Sequence, residues 1–220
     1  MTNKTTYMGM ALCFLVSLSC TNKEDDKVAK VKKEKTEVTA KKESQKAGPP
    51  CITIYCYGDI PSAKPEMLRK ELQKHYPRVE MAKERLALPK EHYLKERNRY
   101  SGTGLLKDLS RQRKGTVVLG VTDEVIFQAN EKSPTFGIFG ISYVGHPTAL
   151  VSLKQPSGKK HPDGDLVKLT LHELGHAFGL EHCPDEHCIM ADAKHKNNLP
   201  KTKKFCKDCK DFLNKKNWNL

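Results

Sequence analysis

Long apolar runs are missing from these 220 residues. The longest, Met8 to Ser19, holds twelve residues, well short of the roughly 20 that a helix needs to cross a bilayer. A bundle of membrane-spanning helices is therefore excluded. Aromatic residues are scarce at 7%, with a single Trp, and none falls between Thr21 and Pro50. That stretch holds nine Lys and six Asp or Glu. It cannot bury enough apolar surface to offset the entropy of ordering, so it reads as a polar tether. Acidic residues are outnumbered 26 to 39 by Lys and Arg, which leaves a net charge of +13. Nine lysines lie in the tether and nine more between Lys194 and Lys216. No aromatic residues alternate with them as a base-stacking surface requires, so a solvated basic face accounts for the excess and no nucleic-acid partner is expected. No internal repeat is present, and a solenoid is excluded with it.

What is present divides the chain in three. Residues 1–19 carry Lys4 and then the apolar run, which fits the core of a secretory signal. "VSLSC" at Val16 to Cys20 resembles a bacterial lipoprotein signal, and the resemblance implies that Cys20 is lipidated and becomes the mature N-terminus. An ordinary signal or an uncleaved anchor is the alternative. Residues 20–50 then form the tether, with a root-mean-square reach of about 30 Å if fully flexible. Residues 51–220 form the folded body. The expectation is an exported, membrane-anchored lipoprotein of the cell envelope, monomeric, and bound to the membrane through its lipid.

In the body, "CITIYCYG" alternates with the two-residue period of a half-buried strand over 51–57. Pro65 suits the first turn of a helix carrying Leu68, Leu72 and Tyr76, with Pro77 as its stop. A short strand near Val79 and a helix near Leu105 to Leu109 follow. "TVVLGV" at 116–121 reads as a buried central strand, and "TFGIFGIS" and "TALVSLK" add two more. The fold class is α/β, a mixed sheet packed on helices. After the loop Ser157 to Asp165, Asp165 is expected to cap a helix whose Val167, Leu171, Leu174 and Phe178 face the sheet. His172 and His176 then project from the opposite side.

Those histidines open "HELGHAFGLEHCPDEHCIM", His172 to Met190, which holds four of the nine histidines and two of the eight cysteines. Residues four apart are stacked neighbours on a helix, so His172 and His176 can reach one ion, and Glu173 beside them is placed as a general base. Gly179 can take the left-handed backbone that ends a helix and turn the chain so that His182 becomes a third ligand. Three protein ligands leave a fourth corner of zinc for water. The expected activity is peptide-bond hydrolysis by zinc-activated water, with Glu173 taking its proton. The alternative is a surface-anchored, zinc-stabilised binding protein without turnover. Cys183, Cys188, Cys206 and Cys209 form two close pairs that match a closed structural zinc site, with two disulfides as the alternative. Two zinc ions are thus expected. Cys51 and Cys56 face opposite sides of their strand and are expected to stay unbonded, with a disulfide as the alternative. His146, His161, His187 and His195 are expected to be solvated, and an extended peptide substrate is expected along an edge strand such as Thr148 to Leu153.

The pattern HExxHxxGxxHC, then CxM, then CxxC resembles the archaemetzincin family of zinc metallopeptidases. "VVLGVTDE", "FGIFGIS" and "LVSLK" extend the likeness across roughly Ile52 to the C-terminus. The resemblance implies a metzincin-like twisted sheet packed on helices, with an active-site helix and a C-terminal helix bearing a four-cysteine zinc site. It implies catalytic zinc on His172, His176 and His182, Glu173 as base, structural zinc on Cys183, Cys188, Cys206 and Cys209, and Met190 as the methionine beneath the histidines.

Overall fold

The computed structural model describes residues 51–114, 117–194 and 196–220, all within one compact unit that runs from Ser44 to Leu220. The expected signal, Cys20, the whole tether and His195 lie outside the described residues. Among the described residues no helix is long and apolar enough to cross a membrane.

The chain runs β1 (Ile52–Tyr57), α1 (Ala63–Gln73), β2 (Val79–Met81), β3 (Tyr93–Leu94), β4 (Arg99–Ser101), α2 (Gly102–Ser110), β5 (Val117–Thr122), β6 (Ile126–Asn130), β7 (Ser133–Ile138), β8 (Gly140–Ser142), β9 (Thr148–Ser152), α3 (Asp163–Ala177) and α4 (Lys207–Asn214). One sheet has the order β2-β1-β5-β9-β8 and a second the order β3-β4-β6-β7. In the first sheet β8 alone runs antiparallel to its neighbour. Each residue of β5 is buried, as a strand covered on both faces must be.

The two-residue strand period sorts this core into halves. Val117, Leu119, Val121, Ala149 and Val151 join the residues of α1, α3 and α4, whereas Val118 and Leu150 join Leu105, Leu106 and Leu109 of α2. The mixed sheet packed on helices is the architecture expected from the sequence, and the structure places helices on both of its faces.

Four details differ from expectation. "TFGIFGIS" is not one strand: β7 and β8 belong to different sheets, and Phe139 bridges them. Helix α1 ends at Gln73 rather than running to Pro77. Strand β9 is interior, and the edge next to it is β8. Asp165 does not cap α3, which starts two residues earlier with Pro162 before it and no side-chain cap. Asp165 instead pairs with Lys168 at 2.9 Å inside the first turn, where a negative charge favours the helix dipole.

Candidate metal centre and cleft

Helix α3 carries His172, Glu173 and His176, and the turn after it returns His182 to the two histidines. Gly179 makes that turn at φ +106°, a backbone that a residue with Cβ rarely adopts. The same turn carries Leu180, whose carbonyl accepts the His176 Nδ1 hydrogen at 2.7 Å. His172 Nδ1 donates likewise to the Ile189 carbonyl at 2.7 Å. With both Nδ1 atoms donating, each neutral ring points an Nε2 lone pair inward.

The His176 Nε2 lies 3.1 Å from that of His172 and 3.3 Å from that of His182. Lone pairs so close repel unless a cation sits among them. A tetrahedral zinc with bonds of about 2.0–2.1 Å has ligand-to-ligand edges of about 3.3–3.4 Å, so the donor set fits that ion. Burial, with the neighbouring His176 adding to it, pushes His172 down to about 4. Burial also lowers His176, and both rings are therefore unprotonated and able to ligate at neutral pH.

Glu173 is only 7% exposed. Desolvation pushes its carboxyl up to about 8, an effect that a nearby dication opposes. Its carboxyl lies close against the start of the edge strand: a Cβ on Gly140 would stand 2.7 Å from Glu173 Oε1. The missing side chain at Gly140 leaves the room that the carboxylate occupies.

The four expected thiols also converge. Their Sγ atoms lie within 4.8 Å of one another, with Cys183 to Cys206 at 3.7 Å and Cys188 to Cys209 at 3.8 Å. These are not disulfides. They match the edge of about 3.8 Å expected for four thiolates around zinc at about 2.3 Å. Backbone N–H groups of Met190 and Cys206 donate to Cys188 Sγ at 3.4 and 3.3 Å. Burial raises Cys188 and Cys209. At Cys206 desolvation is outweighed by the Cys209 backbone and the neighbouring thiols, which lower its thiol. Cys51 and Cys56 are unbonded and buried, as expected.

Met190 is fully buried and touches the helix between the two histidines, since a Cβ on Gly175 would stand 2.4 Å from its sulfur. Ile189, Met190 and Leu199 belong to the same buried cluster as Leu169 and Leu174. Helix α3 is therefore enclosed on both sides, and its expected apolar face is too narrow: Leu166, Leu169 and Thr170 are buried as well, whereas Val167 and Phe178 are only partly so.

A cleft of about 750 Å³ opens beside His172, Glu173 and His182, walled by Phe139, Gly140 and Leu199 among others. A smaller one of about 460 Å³ lies along Ser142, Tyr143, His176 and His182. His146 and His187 are exposed as expected. His161 is not: it is buried, its ring stands edge-on to Phe139 at 5.0 Å, and neither ring nitrogen meets a protein partner. A loop histidine carries no sequence signal of burial, so that position was not foreseeable. A third group, Glu91, His92 and Asp108, is partly exposed and is accounted for by the 2.7 Å His92–Asp108 pair.

An HExxH helix, a returning third histidine and an open cleft together define a zinc metallopeptidase. The profile of Peptidase family M54 matches residues 158–215. The archaemetzincin of Methanopyrus kandleri is 32% identical over 166 residues, spanning 71% of this chain and 90% of that protein. That of Pyrococcus furiosus is 34% identical over 125 residues, spanning 51% and 63%. The crystal structure of the Methanopyrus kandleri archaemetzincin superposes with a TM-score of 0.62 at 28% identity, covering 77% of this chain and 97% of that one. The chain belongs to the archaemetzincin family of zinc metallopeptidases.

Proposed function

We propose that His172, His176 and His182 hold one zinc ion for hydrolysis of peptide bonds and that Cys183, Cys188, Cys206 and Cys209 hold a second, structural one. The inward convergence of three Nε2 atoms carries this reading. Zinc, when bound, supplies a Lewis acid that polarises the scissile carbonyl and makes water acidic.

The chain's own groups do the rest. Glu173 accepts a proton from the attacking water and returns it to the leaving amine, so no acyl-enzyme forms. Its low exposure keeps bulk water from competing for the carboxyl. Gly140 leaves that carboxyl room beside the backbone of β8. The free edge of β8 then takes an extended peptide by main-chain pairing, in place of the interior β9. Met190 holds the helix from beneath, and the Leu180 and Ile189 carbonyls keep the rings aimed.

Zinc per mole of purified protein tests both sites together. Two ions are expected, falling to one when Cys206 and Cys209 are replaced. A zinc content that those replacements leave unchanged would sink the structural site, and a zinc-loaded protein inert toward a broad peptide library would sink the peptidase.

We also propose that the body is held at a membrane through lipid on Cys20 and the tether, on the sequence grounds given above. Fatty-acid labelling that persists in a Cys20→Ala variant would remove that proposal.

A further inference from the structure

The cleft contains a cation that the hydrolytic machinery leaves unused. Arg99 lines the same 750 Å³ cleft as His172, Glu173 and His182. It lies on β4, in the second sheet, and its side chain reaches over β6 to the β7 strand. There Nη1 donates to the Thr135 carbonyl at 3.2 Å and Nη2 to the Pro156 carbonyl at 3.2 Å. The guanidinium rests on Gly137, where a Cβ would stand 2.9 Å from Nη1 and 2.6 Å from Pro156. Two carbonyls and a bare backbone thus hold a rigid fork in place at the cleft wall.

That fork is half used. Guanidinium carries five N–H donors and is always charged, and two of the five are engaged here. Among the described residues Arg99 forms no ion pair with any carboxylate. Lys194 and Lys196 also line the cleft and are exposed, and neither has an ion-pair partner among the described residues. Against these three cations the cleft sets Asp192 and the buried Glu173. A bound dication would add further positive charge. A substrate that fills the apolar stretch formed by Ile138 and Phe139 and ends in a negative group would satisfy both halves of the wall.

Resting on the peptidase reading above, we propose that Arg99 determines specificity by receiving a carboxylate of the peptide substrate in a two-pronged hydrogen bond. The carboxylate is that of an Asp or Glu side chain near the scissile bond or that of a free C-terminus. Two charge-assisted bonds in a partly enclosed cleft favour the acidic substrate by about tenfold or more.

The test is a set of peptides with Asp or Glu, or their isosteres Asn or Gln, scanned through each position around one scissile bond. One series has amidated ends and the other free ends. The zinc-loaded wild type should show about a tenfold higher kcat/KM for the acid than the amide at one position of the amidated series, or for free over amidated ends if the terminus is the source. The preference should disappear in Arg99→Gln, survive in part in Arg99→Lys, and turn toward Lys-bearing peptides in Arg99→Glu. A role confined to bracing Thr135 and Pro156 would lower all rates together and leave the ratio unmoved. Should Arg99→Gln fail to fold, the wild-type ratio must still shrink as salt is raised. Anisotropy of labelled acidic and amide peptides on the Glu173→Gln variant reads the same preference without turnover. Equal cleavage and equal binding of acid and amide by the wild type would overturn the proposal and leave the peptidase standing. No cleavage of any peptide, with an acidic preference still seen in binding, would overturn the peptidase instead.

Discussion

The three imidazoles and the four thiols share one stretch of chain and differ in what surrounds them. The imidazoles border a cleft, with His182 exposed and three nitrogens within 4.8 Å of one another, enough for three corners of a zinc tetrahedron. The thiols supply all four corners, with Cys188 and Cys209 buried in the main core. The first arrangement leaves a place for water and substrate. The second leaves none, and on the reading proposed above its free energy of metal binding would go into holding the chain. Adjacent residues, His182 and Cys183, serve the two clusters, and the Cys183 amide bonds back to the Met190 carbonyl at 2.8 Å. One loop thereby carries both an open and a closed cluster.

The comparison breaks most sharply at Glu173. Glu173→Gln should lower kcat/KM by about 10² to 10⁴-fold with both zinc ions retained, as measured by peptide cleavage beside metal analysis. Activity within a fewfold of wild type would remove Glu173 as the base. Cys209→Ser should act on the closed side instead: one zinc lost, and a melting temperature lower by on the order of 10 °C if several kcal/mol of metal binding is forfeited. An unchanged melting curve would show that the thiols do not hold the fold. Gly140→Ala should cost about ten- to a hundredfold in kcat/KM by displacing the carboxyl, with zinc content and melting temperature nearly unaltered.

Acidity separates the clusters more gently. In metal-free protein Glu173 is raised to about 8, so the folded state keeps a proton that the unfolded chain releases. Its stabilisation is complete below the ordinary 4.5 and is lost as pH rises through about 8. His172, lowered to about 4, stays neutral where the unfolded chain charges. Its contribution is present above the ordinary 6.5 and is lost as pH falls toward about 4. Between 4.5 and 6.5 these two slopes cancel, and the likewise lowered His176 tips the balance, so melting of chelator-treated protein should be highest at about pH 6–7, and Glu173→Gln should abolish the alkaline decline. The smallest effect is expected at Met190→Leu, a volume-conserving change that should cost less than about 1.5 kcal/mol. A large loss of stability or zinc there would mean that the sulfur does more than fill space.

The histidines were legible in the sequence because their spacing is local: one helix and one glycine turn fix them. The thiols were legible as two short spacings, although only the fold shows that they converge without forming disulfides. Long-range pairing was not legible. The second sheet is built from strands of two to six residues without a clear period. The edge position of β8 depends on strand order, which alternation along one segment does not encode. Arg99 lies 73 positions before His172 and reaches the cleft only because β4 pairs with β6. His161 likewise gave no hint of its burial.

Ile189, whose carbonyl steers the His172 ring, follows Cys188 directly in the chain. Whatever loosens the sulfur cluster therefore loosens the aim of an imidazole on the far side of the loop. An oxidant that touched only cysteines would silence hydrolysis while every group at the reacting bond stayed chemically intact.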